Sequence, residues 1–169
     1  KEILSNFADT QRQKKLIESW KPRSNENIDY LPYIGQAEEL PLKTPERAVA
    51  EFIENWIKGR YGLLAASLVY FSDKPEGKKA GLARKDFGNL IPLSYKLISI
   101  EDRSAAITFV TVELEFEDNN QRFSKIVNVF ANYLDSENHI QVRTEDDGQW
   151  KIIQNSFSNI LYASSLFKE

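Results

Sequence analysis

The chain has no cysteine, no methionine and a single histidine. Without cysteine there are no disulfides, thiolate zinc sites or thiol nucleophiles, while the compartment stays open because cysteine-free proteins occur on both sides of a membrane. One imidazole, His139, argues against a histidine-dependent metal centre, since stable transition-metal sites gather several such ligands. A basic excess is also missing. Lys and Arg number 22 against 25 Asp and Glu, a net charge of -3, so the electrostatic footprint of a nucleic-acid binder is absent. No run approaches the roughly 20 apolar residues of a membrane span, and no signal peptide is visible. Because the chain starts at Lys1 without methionine, its natural start is expected upstream. Cytoplasmic and extracytoplasmic locations, the latter with an anchor removed, are both open.

What is present is an ordinary globular composition, 41% hydrophobic and 28% charged over 169 residues, enough for one domain with a core. The organising stretch runs from Thr44 to Leu68. Thr44 is suited to N-cap a helix, Pro45 to its first position, and Glu46 to its positive end. Val49, Phe52, Ile53 and Trp56 recur at three- and four-residue steps and predict one apolar stripe. Gly59 and Gly62 punctuate the end of that helix, and Leu63, Leu64 and Leu68 predict a second stripe.

Residues 1–20 have helical character with two apolar clusters, and 21–43 carry Pro22, Pro32 and Pro41, which predict an extended connector lying along the surface. The expected organisation is an N-terminal helix and connector over 1–43 and one α+β domain over 44–169. Residues 72–92 are the most basic part. Gly77-Lys78-Lys79 there lacks the upstream glycine and the Ser/Thr of a phosphate loop. A solvated loop entering a short helix near Leu82–Phe87 is expected.

From Leu93 the period changes to two, with strands expected at Leu93–Glu101, Ala105–Glu117, Arg122–Leu134, His139–Thr144 and Gln149–Phe157. In the second, Ala106, Val110, Val112, Leu114 and Phe116 share one face. The other begins apolar at Ile107 and Phe109 and ends charged at Glu113, Glu115 and Glu117. The short links between strands, rich in Asp, Asn and Gly, require antiparallel neighbours. The predicted class is therefore α+β, with N-terminal helices packed on one face of a curved antiparallel sheet.

The run FIENWIKGRYGLLAASL, through Phe52, Trp56, Gly59, Tyr61, Leu64 and Leu68, resembles the opening helices of the nuclear transport factor 2-like (cystatin-like cone) superfamily. The ending DDGQWKIIQNSF, with Gly148, Trp150 and Ile152, is similar to the family's last hairpin and strand. The resemblance spans residues 44–157 and implies a cone-shaped, cystatin-like roll. It also implies a choice between isomerases, dehydratases or cyclases working inside the cone and catalytically silent binding or assembly modules. Fold does not choose between them. No residue falls on a transferable catalytic signature, so no catalytic residue is assigned.

His139 would share a strand face with Gln141 and Arg143 and reads as solvated. The acidic groups Glu113/Glu115/Glu117/Asp118 and Glu145/Asp146/Asp147 lack the alternating Asp/Asn-Gly loop of a calcium site. No metal or cofactor is expected. Pocket candidates are Trp56 and Tyr61 on the helices, Tyr95 on the first strand, Asn128, Phe130 and Asn132 on the third, and Gln154 on the last. The expected function is a non-catalytic ligand-binding or protein-interaction domain, bacterial in style, taking a small apolar or amphipathic ligand. A homodimer through the sheet would use Ile107, Phe109 and Tyr133 or Phe123. The alternatives are a small-molecule isomerase, dehydratase or cyclase, and an assembly domain of a conjugation or secretion system.

Overall fold

The computed structural model describes residues 21–23, 28–69, 75–135, 137, 139–140 and 148–161, with single helical positions at 11, 14, 15 and 18. The expected N-terminal helix otherwise lies outside the described residues, as do 141–144 of the expected fourth strand, the acidic turn 145–147 and the tail 162–169.

Helix α1 spans Pro45–Ile57, and Thr44 caps it, its Oγ1 accepting from the Arg47 amide at 3.3 Å. The expected stripe is buried: Val49, Phe52, Ile53 and Trp56 are all 0% exposed. Gly59 then takes φ of +70°, which costs glycine little. The Arg60 amide folds back to the Asn55 carbonyl at 2.8 Å and that of Gly59 to Trp56 at 3.2 Å, closing the helix with a Schellman-type turn.

Helix α2 covers Tyr61–Ala66. Leu64 and Leu68 are buried, but Leu63 is 57% exposed, because one residue is a 100° rotation and so short a helix buries one narrow side. Helix α3 runs Glu76–Phe87, starting about a turn and a half earlier than expected, directly after Pro75. Of the basic stretch, 72–74 lie outside the described residues, and Lys78, Lys79, Arg84 and Lys85 sit on α3.

Four strands follow, β1 Ser94–Ser104, β2 Ile107–Asp118, β3 Gln121–Leu134 and β4 Gln149–Ile152, in one antiparallel sheet of order β1-β2-β3-β4. Asn119 and Asn120, at φ of 52° and 65°, make the two-residue turn between β2 and β3, the left-handed pair that matches strand twist. Register shifts in β1 at Leu97/Ser99 and Asp102/Ser104 mark bulges, which bend a strand and help curve the sheet. The predicted α+β class, with helices preceding a curved antiparallel sheet, is the observed one.

The expected last strand Gln149–Phe157 is shorter. It leaves the sheet after Ile152 and becomes a 3₁₀ turn at Gln154–Phe157. That turn drives Phe157 into the core, stacked on Phe52 at 5.3 Å. On β2, Val110, Val112, Leu114 and Phe116 point inward with Val127 and Val129 of β3, and α1 lies against them.

The connector does more than lie along the surface. Ile28, Ala37 and Leu40 join the same core, and Tyr33 and Leu97 exchange both backbone bonds at 2.8 and 3.0 Å on the open edge of β1. Covering an edge in this way removes a template for unwanted strand pairing. At the N-terminus of α1 the Arg23 guanidinium bonds both oxygens of fully buried Glu46, at 3.0 and 3.1 Å. Tyr30 also donates to Glu46, and buried Asp102 accepts from the Arg23 amide at 2.6 Å and the Thr108 hydroxyl at 2.7 Å.

Candidate functional site

The hollow side of the sheet is filled. Trp56 stands edge-on to Phe87 at 5.2 Å, to Phe157 at 5.5 Å and to Phe116 at 6.2 Å, and Phe52 completes the group. All five rings are 0% exposed. The one polar atom of the indole is satisfied inside, Nε1 donating to the Phe87 carbonyl at 2.7 Å. Aromatic pairs in such tilted and edge-on arrangements contribute beyond their burial alone.

The predicted pocket residues fall on separate surfaces. Trp56 is this central ring. Tyr61 is half-buried beneath the Arg84 guanidinium, 5.4 Å from its centroid. Tyr95 points inward and donates to Glu54 Oε2 at 2.7 Å. Asn128, Phe130 and Asn132 do share a face, but it is the outer one, away from the helices. There Phe130 packs on Phe109 at 4.7 Å, Asn128 is exposed and accepts from Thr111 at 3.3 Å, and buried Asn132 has no hydrogen-bond partner at Oδ1 among the described residues. Gln154 sits in the 3₁₀ turn and donates to Asp86 at 2.7 Å. Of the expected dimer residues, Ile107 and Phe109 lie on the outer face. Tyr133 is buried against Trp150, and Phe123 stacks on Phe116.

The open concavity lies elsewhere. A groove of about 580 Å³ is bounded by the loop through Ala37–Thr44, the outward side of α1, the α1–α2 corner and the start of β4. Its walls carry Lys43, Arg47, Glu51, Glu54, Lys58 and Arg60, and none of the seven predicted pocket residues lines it. Arg47 stitches two walls, bonding Glu51 at 2.8 Å and the Leu40 carbonyl at 3.1 Å. Trp150 is fixed by donating Nε1 to the Lys43 carbonyl at 3.2 Å. Gly148 lies flat on Tyr133, where an added Cβ would come within 2.4 Å of the ring.

Two carboxylates near these elements are occupied. Glu54 Oε2 takes the Ala37 amide at 2.6 Å as well as the Tyr95 hydroxyl. Burial, and then the hydrogen bond to Glu54, pushes the Tyr95 phenol well above its ordinary value. Burial and the bond to Glu46 do the same for Tyr30. Their contribution is thus fully present below the unfolded phenol value near 10 and lost as pH rises above it. The unfolding free energy from urea titration is expected to fall above about pH 10, by at most about 1.4 kcal/mol per pH unit for each phenol and less after solvent screening. In the Tyr30→Phe/Tyr95→Phe double variant that part of the slope should disappear. An identical slope would mean the phenols titrate alike folded and unfolded.

Among the described residues, no three His, Asp or Glu side chains converge to hold a metal ion, and no helix is long and apolar enough to cross a membrane. His139 is exposed, 3.8 Å from Asp135. Compared with known families and curated proteins, the chain matches no family model and no curated sequence.

Proposed function

We propose that this chain is a non-catalytic interaction domain of nuclear transport factor 2-like shape, holding its partner in the surface groove rather than inside the cone. One observation carries the reading: Phe52, Trp56, Phe87, Phe116 and Phe157 occupy the space a substrate would need. An isomerase, dehydratase or cyclase requires a reachable cavity with an acid–base group within hydrogen-bond distance of the reacting atom. The buried carboxylate Glu46 is tied to Arg23, and Glu54 to Tyr95 and the backbone. The groove supports binding instead, because its size lies within the usual span of about 300–1,000 Å³ for ligand clefts.

Hydrogen exchange at the Trp56 indole tests the filled cone. Its N–H is expected to exchange only through global unfolding, as slowly as the most protected strand amides. Exchange orders of magnitude faster than those amides would show a cone that opens to water, and would favour the enzyme.

A further inference from the structure

The charged walls of the groove are unevenly committed. Glu51 is paired with Arg47, and Glu54 is engaged by the Ala37 amide and Tyr95. Lys58 and Arg60, which flank Gly59 at the α1–α2 corner, are exposed, and their side chains make no ion pair or hydrogen bond among the described residues. Glu38 is a lining carboxylate whose side chain has no partner among the described residues, and its backbone carbonyl accepts from Arg47 at 3.4 Å. Arg47 and Lys58 lie eleven residues apart on and just past α1, roughly 16 Å at 1.5 Å per residue. Lys58 and Arg60 thus place two exposed cationic side chains together at the α1–α2 corner.

Two further features describe what fits. Leu42 and Leu63, 73% and 57% exposed, both line the groove and offer apolar contact. The lining also includes the small residues Ala48, Ala66, Ser67 and Gly148, which leave room for a main chain to approach. Gly148 cannot carry a side chain without displacing Tyr133, so that wall stays low.

We propose that the groove takes an acidic peptide segment in extended conformation, an inference that rests on the interaction-domain reading. An extended chain presents alternate side chains on opposite sides. Carboxylates at alternate positions meet Lys58 and Arg60, and the apolar residues between them meet Leu42 and Leu63. Complementary charge of this kind sets partner choice and makes the affinity depend on salt.

The test is a titration of the whole isotope-labelled chain, followed by amide shifts, with two blocked pentapeptides, Glu-Leu-Glu-Leu-Glu and Lys-Leu-Lys-Leu-Lys. The acidic peptide is expected to shift the amides of Ala66, Ser67 and Gln149, and to bind more weakly as salt is raised. The Lys58→Glu/Arg60→Glu variant should weaken it about tenfold or more, whereas Lys58→Arg should not. Both positions are exposed, and an unchanged spectrum of the free variant away from the corner certifies its fold. If the basic peptide shifts the same amides at least as strongly, the acidic class is overturned and the interaction-domain reading stands. If neither peptide moves those amides, the groove is not the docking site, and this inference falls with that part of the reading. The indole exchange of Trp56 decides the non-catalytic part separately.

Discussion

Replacing Arg23 with alanine is expected to destabilise the fold by about 3–5 kcal/mol, far more than its partly exposed position suggests. The Arg23 side chain is 28% exposed, but the side chains of Glu46 and Asp102, which it faces, are 0% exposed. Removing the guanidinium leaves the buried Glu46 carboxylate without the cation that bonds both its oxygens and takes one cation from buried Asp102, and an uncompensated buried charge costs more than the pair contributes. Arg23→Lys restores charge without the planar fork that bonds both oxygens of Glu46, so it should recover only part of the loss. Adding Glu46→Gln to Arg23→Ala should cost less than the sum of the single changes, with a coupling of about 1 kcal/mol or more, because one orphaned charge is removed. Urea unfolding of the four variants measures all of this. A loss from Arg23→Ala below about 1 kcal/mol would place the cluster with ordinary surface ion pairs.

That cluster also marks the limit of what the chain discloses about itself. Helix α1 was legible because its signals are local: the Thr44 cap, Pro45 at the first position and apolar residues at helical spacing. The same holds for β2, where strict alternation predicts which side chains turn inward. Arg23, Glu46 and Asp102 are separated by 23 and 56 residues in sequence, and nothing local distinguishes a buried Glu at a helix start from a solvated one.

Parity correctly groups Asn128, Phe130 and Asn132 on one side of β3. Which side meets the helices is decided by the packing of Val127 and Val129 against Val112 and Val110. The groove is built from three stretches that meet only in the folded chain, and its residues are individually unremarkable surface charges. Beyond Ile152, alternation alone predicts continued strand. The turn that seats Phe157 is a tertiary effect overriding a local pattern.

Trp56→Ala is the other change with a large expected effect, about 3–5 kcal/mol from lost transfer energy and the cavity left among the surrounding rings. Domains of this size are commonly stable by only about 5–15 kcal/mol, so the variant should be marginal at ambient temperature. Trp56→Phe keeps most of the apolar volume but removes the donor to the Phe87 carbonyl at the end of α3. It should lose about 1–3 kcal/mol and fold normally. Leu63→Ala, on the exposed side of α2, should stay within about 0.5 kcal/mol of the parent.

Added indole gives the sharper reading. A dry cavity lined by Phe52, Phe87, Phe116 and Phe157 should bind it, raising the urea midpoint of Trp56→Ala in proportion to the logarithm of its concentration. The parent protein should not respond, because its own side chain already holds that place. A parent midpoint that rises equally would mean the space between helices and sheet has room for a ligand beside Trp56, and the case for a purely structural interior would fail.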